Sequence, residues 1–367
     1  VTLQPGEGID GGVPYLPALP DEISWGFLPN ARSTPRLEVP SGGTVVVDTV
    51  SHEGILEDQG RDPRAFFGRY GIAPDGVLED ASAIAASTIP HDFADGPHVV
   101  TGPIAVTGAR PGDLVRIDVL ALEMRVPYGV VSSRHGRGCL PGEFPIGTER
   151  SPNASSARPD LYGSAFSFIT VDEGADGPVG VLEFAPGRAA RFPLRPFLGV
   201  MGVAPATSTP VPSVPPGLHG GNIDVNLLVV GTSLYLPVQV PCASVYIGDP
   251  HFAQGDGEVA LTALEASLRA TLRLSTIPAA DAPELVGTTD RPFIETPELW
   301  VPIGLDPDLD EAMRDATRAA IDFLERRQGM PRPAALAYLS AAADFEVSQV
   351  VDRVKGIHCC IRKSDFG

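Results

Sequence analysis

The sequence predicts a mainly β fold: β-sandwich domains with a smaller α/β portion at the C-terminal end. Three observations carry that prediction. Glycine (40) and proline (38) make up about a fifth of the 367 residues and follow no period, a density of breakers that interrupts helices and supplies turns. Several segments alternate apolar and polar residues with the period of two that a half-buried strand needs. Only the region beyond Leu305 shows the spacing of an amphipathic helix.

Residues 1–36 are proline-rich and irregular, with Trp25 and Phe27 as anchors onto the body. Leu37-Glu38-Val39 leads through the turn Pro40-Ser41-Gly42-Gly43 into a β-branched strand over 44–50, and 51–96 reads as a polar loop region. Strands follow over 99–106 and 114–122, the second with Val115, Ile117 and Val119 set against Arg116 and Asp118. Further strands are read over 179–184, 190–194, 224–230, 233–240, 243–247 and 266–277. Asp306 or Asp308 can cap a helix whose face carries Leu309, Ala312, Met313, Ala316, Ala320, Phe323 and Leu324 and which Gly329 closes. Pro333 starts a second helix to about Ala343, and Phe345, Val347 and Val350-Val351 read as a last strand. The segments group into an N-terminal β-sandwich region (1–205), a central β region (206–280) and a C-terminal α/β portion (281–367), with the prolines between 205 and 216 as linker.

Composition excludes several functions. A net charge of −19 repels phosphate backbones and anionic membrane surfaces, so neither nucleic acid nor membrane is a partner. Apolar runs such as 225–230 fall far short of a membrane span. Four irregularly spaced cysteines do not form a disulfide framework, and no basic stretch leading into an apolar run opens the sequence. A cytoplasmic protein with reduced thiols is the expectation.

Familiar motifs are absent or out of context. Gly6-Glu7-Gly8-Ile9-Asp10-Gly11 follows no strand, and His52-Glu53 lacks the second histidine of a zincin because position 56 is leucine. No Gly-x-Ser-x-Gly elbow occurs. Cys139, four residues after His135, could belong to a nitrilase-like cysteine enzyme, but a small buried thiol is the simpler expectation.

The densest polar cluster is Gly248-Asp249-Pro250-His251-Phe252-Ala253-Gln254-Gly255-Asp256-Gly257-Glu258, read as a loop after a strand ending at Ile247. Carboxylates with an imidazole bind divalent cations, and a spare carboxylate can act as general base; a solvated glycine-rich turn is the plain alternative. A second cluster is His219-Gly220-Gly221-Asn222-Ile223-Asp224, for which a simple turn with His219 at the surface is the alternative. Taken singly, His52, His91, His98 and His358 are each explained as hydrogen-bonded structural histidines.

Together these blocks resemble the acetamidase/formamidase family. The resemblance rests on Gly220-Gly221-Asn222-x-Asp224, the run from Gly231 to Val238, and Gly248-Asp249-x-His251 with Gln254-Gly255-Asp256-Gly257-Glu258. Thr101-Gly102-Pro103 through Asp113, Pro196 through Pro205, Val351-Asp352 through His358, Trp25-Gly26 and Ser51-His52 agree with it. Arg110 and Cys242 depart from the commonest pattern, Cys242 at a place expected near the site. The resemblance implies a β-sandwich with a small α/β addition that hydrolyses formamide- or acetamide-like carboxamides and releases ammonia. It also implies a divalent metal, zinc above others, with His251, Asp249, His52, His98 and Asp224 as ligands. Glu258 is then the base, Asp256 an orienting group or second base, and Asn222 and Gln254 the groups that orient the amide. A γ-lactam hydrolase is the alternative enzyme, and a β-sandwich that binds a metal or small ligand without turnover is the alternative of another kind. Edge pairing of such sandwiches suggests a homodimer.

Overall fold

The structure, a computed structural model describing residues 2–367, is built on two large sheets. The nine-stranded sheet runs, in spatial order, Tyr15–Leu16, Gly43–Asp48, Leu268–Ile277, Leu114–Met124, Ser233–Pro237, Phe293–Glu295, Leu299–Asp306, Lys355–Arg362 and Asp344–Gln349. Strands from all three sequence regions therefore share it. The eleven-stranded sheet is centred on Val245–Ala253, which pairs with Phe197–Val203, Leu264–Glu265 and Val99–Thr107. Nearly all pairing is antiparallel, as short loops between strands require.

The sheets share one core. Val45, Val47, Leu272 and Leu274 of the first belong to the same buried cluster as Ile104, Met201, Val203 and Ile247 of the second. A smaller core lies at the other end of the nine-stranded sheet, where Trp300 and Phe293 meet Phe323 and Leu324 of the helix Leu309–Gln328 and Leu339 of the helix Arg332–Ala342. The mainly β prediction holds, and so do these two helices. Asp308 caps the first by accepting from the N–H groups of Asp310 and Glu311 at 2.9 and 3.1 Å, and Gly329 ends it with φ at 61°.

Several sequence readings need correction. The loop region 51–96 contains the helices Pro63–Gly68 and Glu79–Ala86, each too short for a periodic signal to stand out. Residues 224–230 form turns instead of a strand, beginning with Asp224 at a φ of 45°. The strand expected to end at Ile247 continues to Ala253, so Asp249 and His251 stand on sheet backbone and not in a loop. Cys139 is exposed rather than buried, although all four cysteines are free. The strands Leu299–Asp306 and Lys355–Arg362 were not anticipated, and the strand from Asp344 stops at Gln349, short of Val350-Val351. Trp25 anchors the N-terminal segment: it is buried, donates to the Pro97 carbonyl at 3.1 Å and stacks on His91. Among the described residues no helix is long and apolar enough to cross a membrane.

Candidate active site and metal centre

The long central strand Val245–Ala253 places Asp249 and His251 two residues apart, hence on one face. Its neighbours complete the site. Glu265 stands directly across from His251 on Leu264–Glu265. His98 immediately precedes Val99–Thr107, and Asp224 follows Gly220–Asn222. His52 comes from the loop after Gly43–Asp48, Glu258 from the loop after Ala253, and Asp352 from the loop between the last two strands. The result is a knot of five carboxylates and three imidazoles, all buried.

The distances are short. His251 Nε2 lies 3.0 Å from both Asp249 Oδ2 and Glu265 Oε1, and its Nδ1 lies 3.9 Å from Asp224 Oδ1. His52 Nδ1 is 3.6 Å from Asp249 Oδ1, and His98 Nε2 is 3.7 Å from Asp249 Oδ2. Close as they are, these groups do not satisfy one another. Both ring nitrogens of His52 and His251, both carboxylate oxygens of Asp224, Asp249 Oδ1, Glu265 Oε2 and Asn222 Oδ1 are buried without a hydrogen-bond partner. Orphaned buried polar atoms are expensive. Nitrogen and oxygen donors pointing at common centres, without pairing, are what a divalent cation requires.

Electrostatics agrees. Burial, followed by the Asp249 charge, pushes the carboxyls of Asp224 and Glu265 up to about 7. Burial and the surrounding acids push Glu258 and Asp352 well above the usual range. Burial opposes ionisation of Asp249 too, but His251 and His98 outweigh it and hold that carboxyl well below its ordinary value. Burial likewise opposes protonation of His52, yet Glu265, Asp249 and Glu53 raise it to about 10. So many carboxyls cannot all ionise together in a buried space, and a cation relieves the repulsion.

Backbone geometry marks the same place. Asp224, Asp249 and Glu258 have φ values of 45°, 49° and 48°, left-handed conformations that a non-glycine residue adopts at a cost. Gly199 packs beneath them: a Cβ there would lie against Asp224 Oδ1 and 2.7 Å from Asp249 Oδ2.

Beside the knot is a cavity of about 410 Å³, lined by His52, His98, Asn222, Asp249, Glu258, Glu265 and Asp352 on the polar side. Of the remaining residues singled out in the sequence, Gln254 lies behind the site, its Nε2 donating to the backbone carbonyls of Asp224 at 2.9 Å and Ser348 at 3.1 Å. Asp256 is exposed, outside the cavity lining, and accepts from Asn226 Nδ2 at 3.0 Å. Cys242 does not line the cavity; its N–H donates to the Ala109 carbonyl in a turn. His91 and His358 are hydrogen-bonded structurally, to Glu57 and Gly96 and to Ser348 and Glu346.

Sequence reasoning missed three contributors. Glu265 is a lone acid in the apolar stretch Ala263-Leu264-Glu265-Ala266, a pattern that could have drawn notice. Asp352 lies in the block Val351-Asp352 through His358 that carries part of the resemblance. Glu53 touches His52 Nε2 at 3.2 Å and is itself held by Ser132 Oγ at 2.5 Å and by Arg134, which pairs with Asp58 at 2.7 Å.

Comparisons with known proteins point the same way. Residues 206–361 match the model of the Acetamidase/Formamidase family. A formamidase of Methylophilus methylotrophus is 29% identical over 191 residues, which cover 44% of this chain and 47% of that protein. The chain thus spans about half the length of the curated relatives it matches. An acetamidase from Bacillus halodurans superimposes with a TM-score of 0.72 at 25% identity, over 96% of this chain and 98% of that one. A γ-lactamase from Delftia acidovorans shares the fold more loosely, with a TM-score of 0.53 at 19% identity over 94% and 89% of the two chains. The family that the sequence blocks resemble is the family these comparisons return.

Proposed function

We propose that this chain, a relative of the acetamidases and formamidases, hydrolyses carboxamides to a carboxylate and ammonia. The observation that carries the reading is the set of buried nitrogen and oxygen atoms without a hydrogen bond on His52, Asp249 and Glu265, which line a cavity of about 410 Å³, and on His251 and Asp224 beside them. His52, His98 and Asp249, with His251 and Asp224 adjoining, would hold a divalent cation, and their mixed imidazole and carboxylate donors suit zinc. When bound, such an ion polarises the amide carbonyl and makes water a better nucleophile.

The chain's own groups do the rest. Glu258, buried at the cavity wall and held protonated by burial and its neighbours unless a cation offsets their charge, would in its ionised form take a proton from the attacking water and return it to the amide nitrogen as the C–N bond breaks. Asn222 lines the same wall with an unsatisfied Oδ1, placed to accept from the substrate's N–H. Gln254 fixes the backbone of Asp224 and acts as a positioning residue. Glu53 Oε1 lies 3.2 Å from His52 Nε2, a charge contact on the side of the ring away from Asp249, which Nδ1 faces. Asp256, on the outside, steadies the loop carrying Glu258 through Asn226.

Glu258→Gln keeps the shape and removes the base, so turnover should fall by about 100-fold or more, in the range usual for a general base. Turnover within a few-fold of the parent would remove Glu258 from that role. A γ-lactam hydrolase is the second reading, because a cavity of about 410 Å³ admits a five-membered ring; ring opening faster than release of ammonia from linear amides would favour it. The free thiols fit a reducing compartment, and we place the chain in the cytoplasm on that ground.

A further inference from the structure

The mouth of the cavity is charged differently from its floor. In a chain of net charge −19, three arginines gather at one wall. Arg137 and Arg353 line the cavity together with Phe93. Arg150 and Arg137 stack their guanidinium groups on Phe93, 4.8 and 5.2 Å from the ring centre. Among the described residues none of the three has an ion-pair partner. The guanidinium of the half-buried Arg137 donates only to the Phe93 carbonyl, at 3.3 Å. Arg134 deeper in is different, since Asp58 and Glu53 neutralise it.

The acids of the same wall are partly engaged, Glu57 through Oε1 with Oε2 left without a partner. Glu57 pairs with His91 at 3.0 Å and Arg61 at 3.6 Å, and Asp95 accepts from the N–H of Asp92 at 2.9 Å. Burial, then the charges of Arg134, Arg353 and Arg150, hold Arg137 below the ordinary arginine range, with Asp58 opposing. Arg353 is presented by a loop that holds it at a φ of 67°, a conformation that costs energy in a non-glycine residue. Leu56, Leu261, Val350 and Val351 are the apolar side chains that line the cavity with these groups. The cavity, about 410 Å³, has the size of a pocket for a drug-sized ligand, far larger than a one- or two-carbon amide fills.

We propose that the substrate is an amide bearing a carboxylate at its far end, gripped by Arg137 and Arg353, with an apolar span lying along Leu56, Leu261 and Val351 and the carboxamide at the floor. The planar guanidinium fork matches a carboxylate in two-point contact. This rests on the amidase reading and narrows it. The reaction is then an ω-amide plus water giving a dicarboxylate and ammonium: the C–N bond breaks, a C–O bond forms, and nothing is oxidised or reduced.

The test compares kcat/KM for succinamate and for butyramide, its neutral counterpart of equal chain length, with the metal-loaded full chain. Succinamate should be preferred by about tenfold or more, the scale of one charge-assisted contact. Arg137→Gln should bring the ratio towards one, Arg137→Lys should restore part of it, and Arg191→Gln, at an exposed pair with Asp172 elsewhere, should leave it unchanged. Equal kcat/KM values in the parent, or a preference surviving Arg137→Gln combined with Arg353→Gln, overturns the proposal. Calorimetric binding of succinate gives a readout free of turnover and should weaken about tenfold in Arg137→Gln. Succinate binding that depends on Arg137, with no amide hydrolysed, would overturn the amidase reading and not the anion site. Amide hydrolysis with succinate binding indifferent to Arg137 would overturn the anion site alone.

Discussion

Glu265 faces His251 from the neighbouring strand with Oε1 3.0 Å from Nε2, and no hydrogen bond is aligned at that nitrogen. Asp249 Oδ2 approaches the same nitrogen equally closely, at 3.0 Å. Two carboxylates converging on one imidazole nitrogen that has no aligned hydrogen bond form a donor set suited to a cation. Glu265→Gln keeps the shape and removes one charge, so zinc affinity should weaken by about 10–100-fold, as measured by competition with a chromogenic chelator. Unchanged affinity would put Glu265 outside the metal's surroundings.

Gly199 should tolerate no side chain. Its missing Cβ leaves the room that Asp224 and Asp249 occupy, so Gly199→Ala forces both carboxylates to move. The expected result is lost metal binding together with a stability loss of about 1–3 kcal/mol, the usual cost of overpacking. Metal content and urea unfolding check the two parts separately, and a variant that binds metal normally would contradict the packing argument.

His219 supplies a pH dependence. Its ring is packed beside Gly217 and Gly221 with Nε2 unpartnered, and burial depresses its pKa to about 4. Since the folded value lies below the unfolded value of about 6.5, the unfolded chain binds the proton first. Its contribution to stability is therefore complete above about pH 6.5 and is lost as pH falls towards 4, by on the order of 3 kcal/mol. Stability curves at pH 7 and pH 4 should diverge less in His219→Gln than in the parent; equal divergence would show that the ring does not stay neutral.

Arg125 tests the support of the segment that leads to His52. It is wholly buried, donates to Asp80 at 2.8 Å and to the Thr49 carbonyl at 3.1 Å, and lies 3.5 Å from Asp48. Arg125→Ala strands Asp80, whereas Asp48 keeps Arg269 at 2.6 and 2.9 Å, and should cost about 3–5 kcal/mol in chemical denaturation. A loss under about 1 kcal/mol would mean Asp80 finds another partner.

What could be read in the sequence had local signals. The helix Leu309–Gln328 announced its cap at Asp308, its apolar face and its closing Gly329 within one stretch. Asp249, His251 and Glu258 are legible because they sit within ten positions of one another. Asp224, Asn222 and His52 stood in blocks of the same family resemblance. What was not legible arises from register between distant strands. Glu265 reaches His251 only because Leu264–Glu265 pairs beside Val245–Ala253, and Asp352 arrives from a loop about a hundred residues further on. The short helices Pro63–Gly68 and Glu79–Ala86 were invisible for another reason: one or two turns give too few positions for a periodic pattern.

The most direct measurement is ammonia release from formamide, acetamide and propionamide before and after dialysis against a chelator, with zinc then added back. Release should stop on chelation and return with zinc. Release indifferent to the chelator would contradict the metal centre, and no release from any amide, linear or cyclic, would contradict the amidase itself.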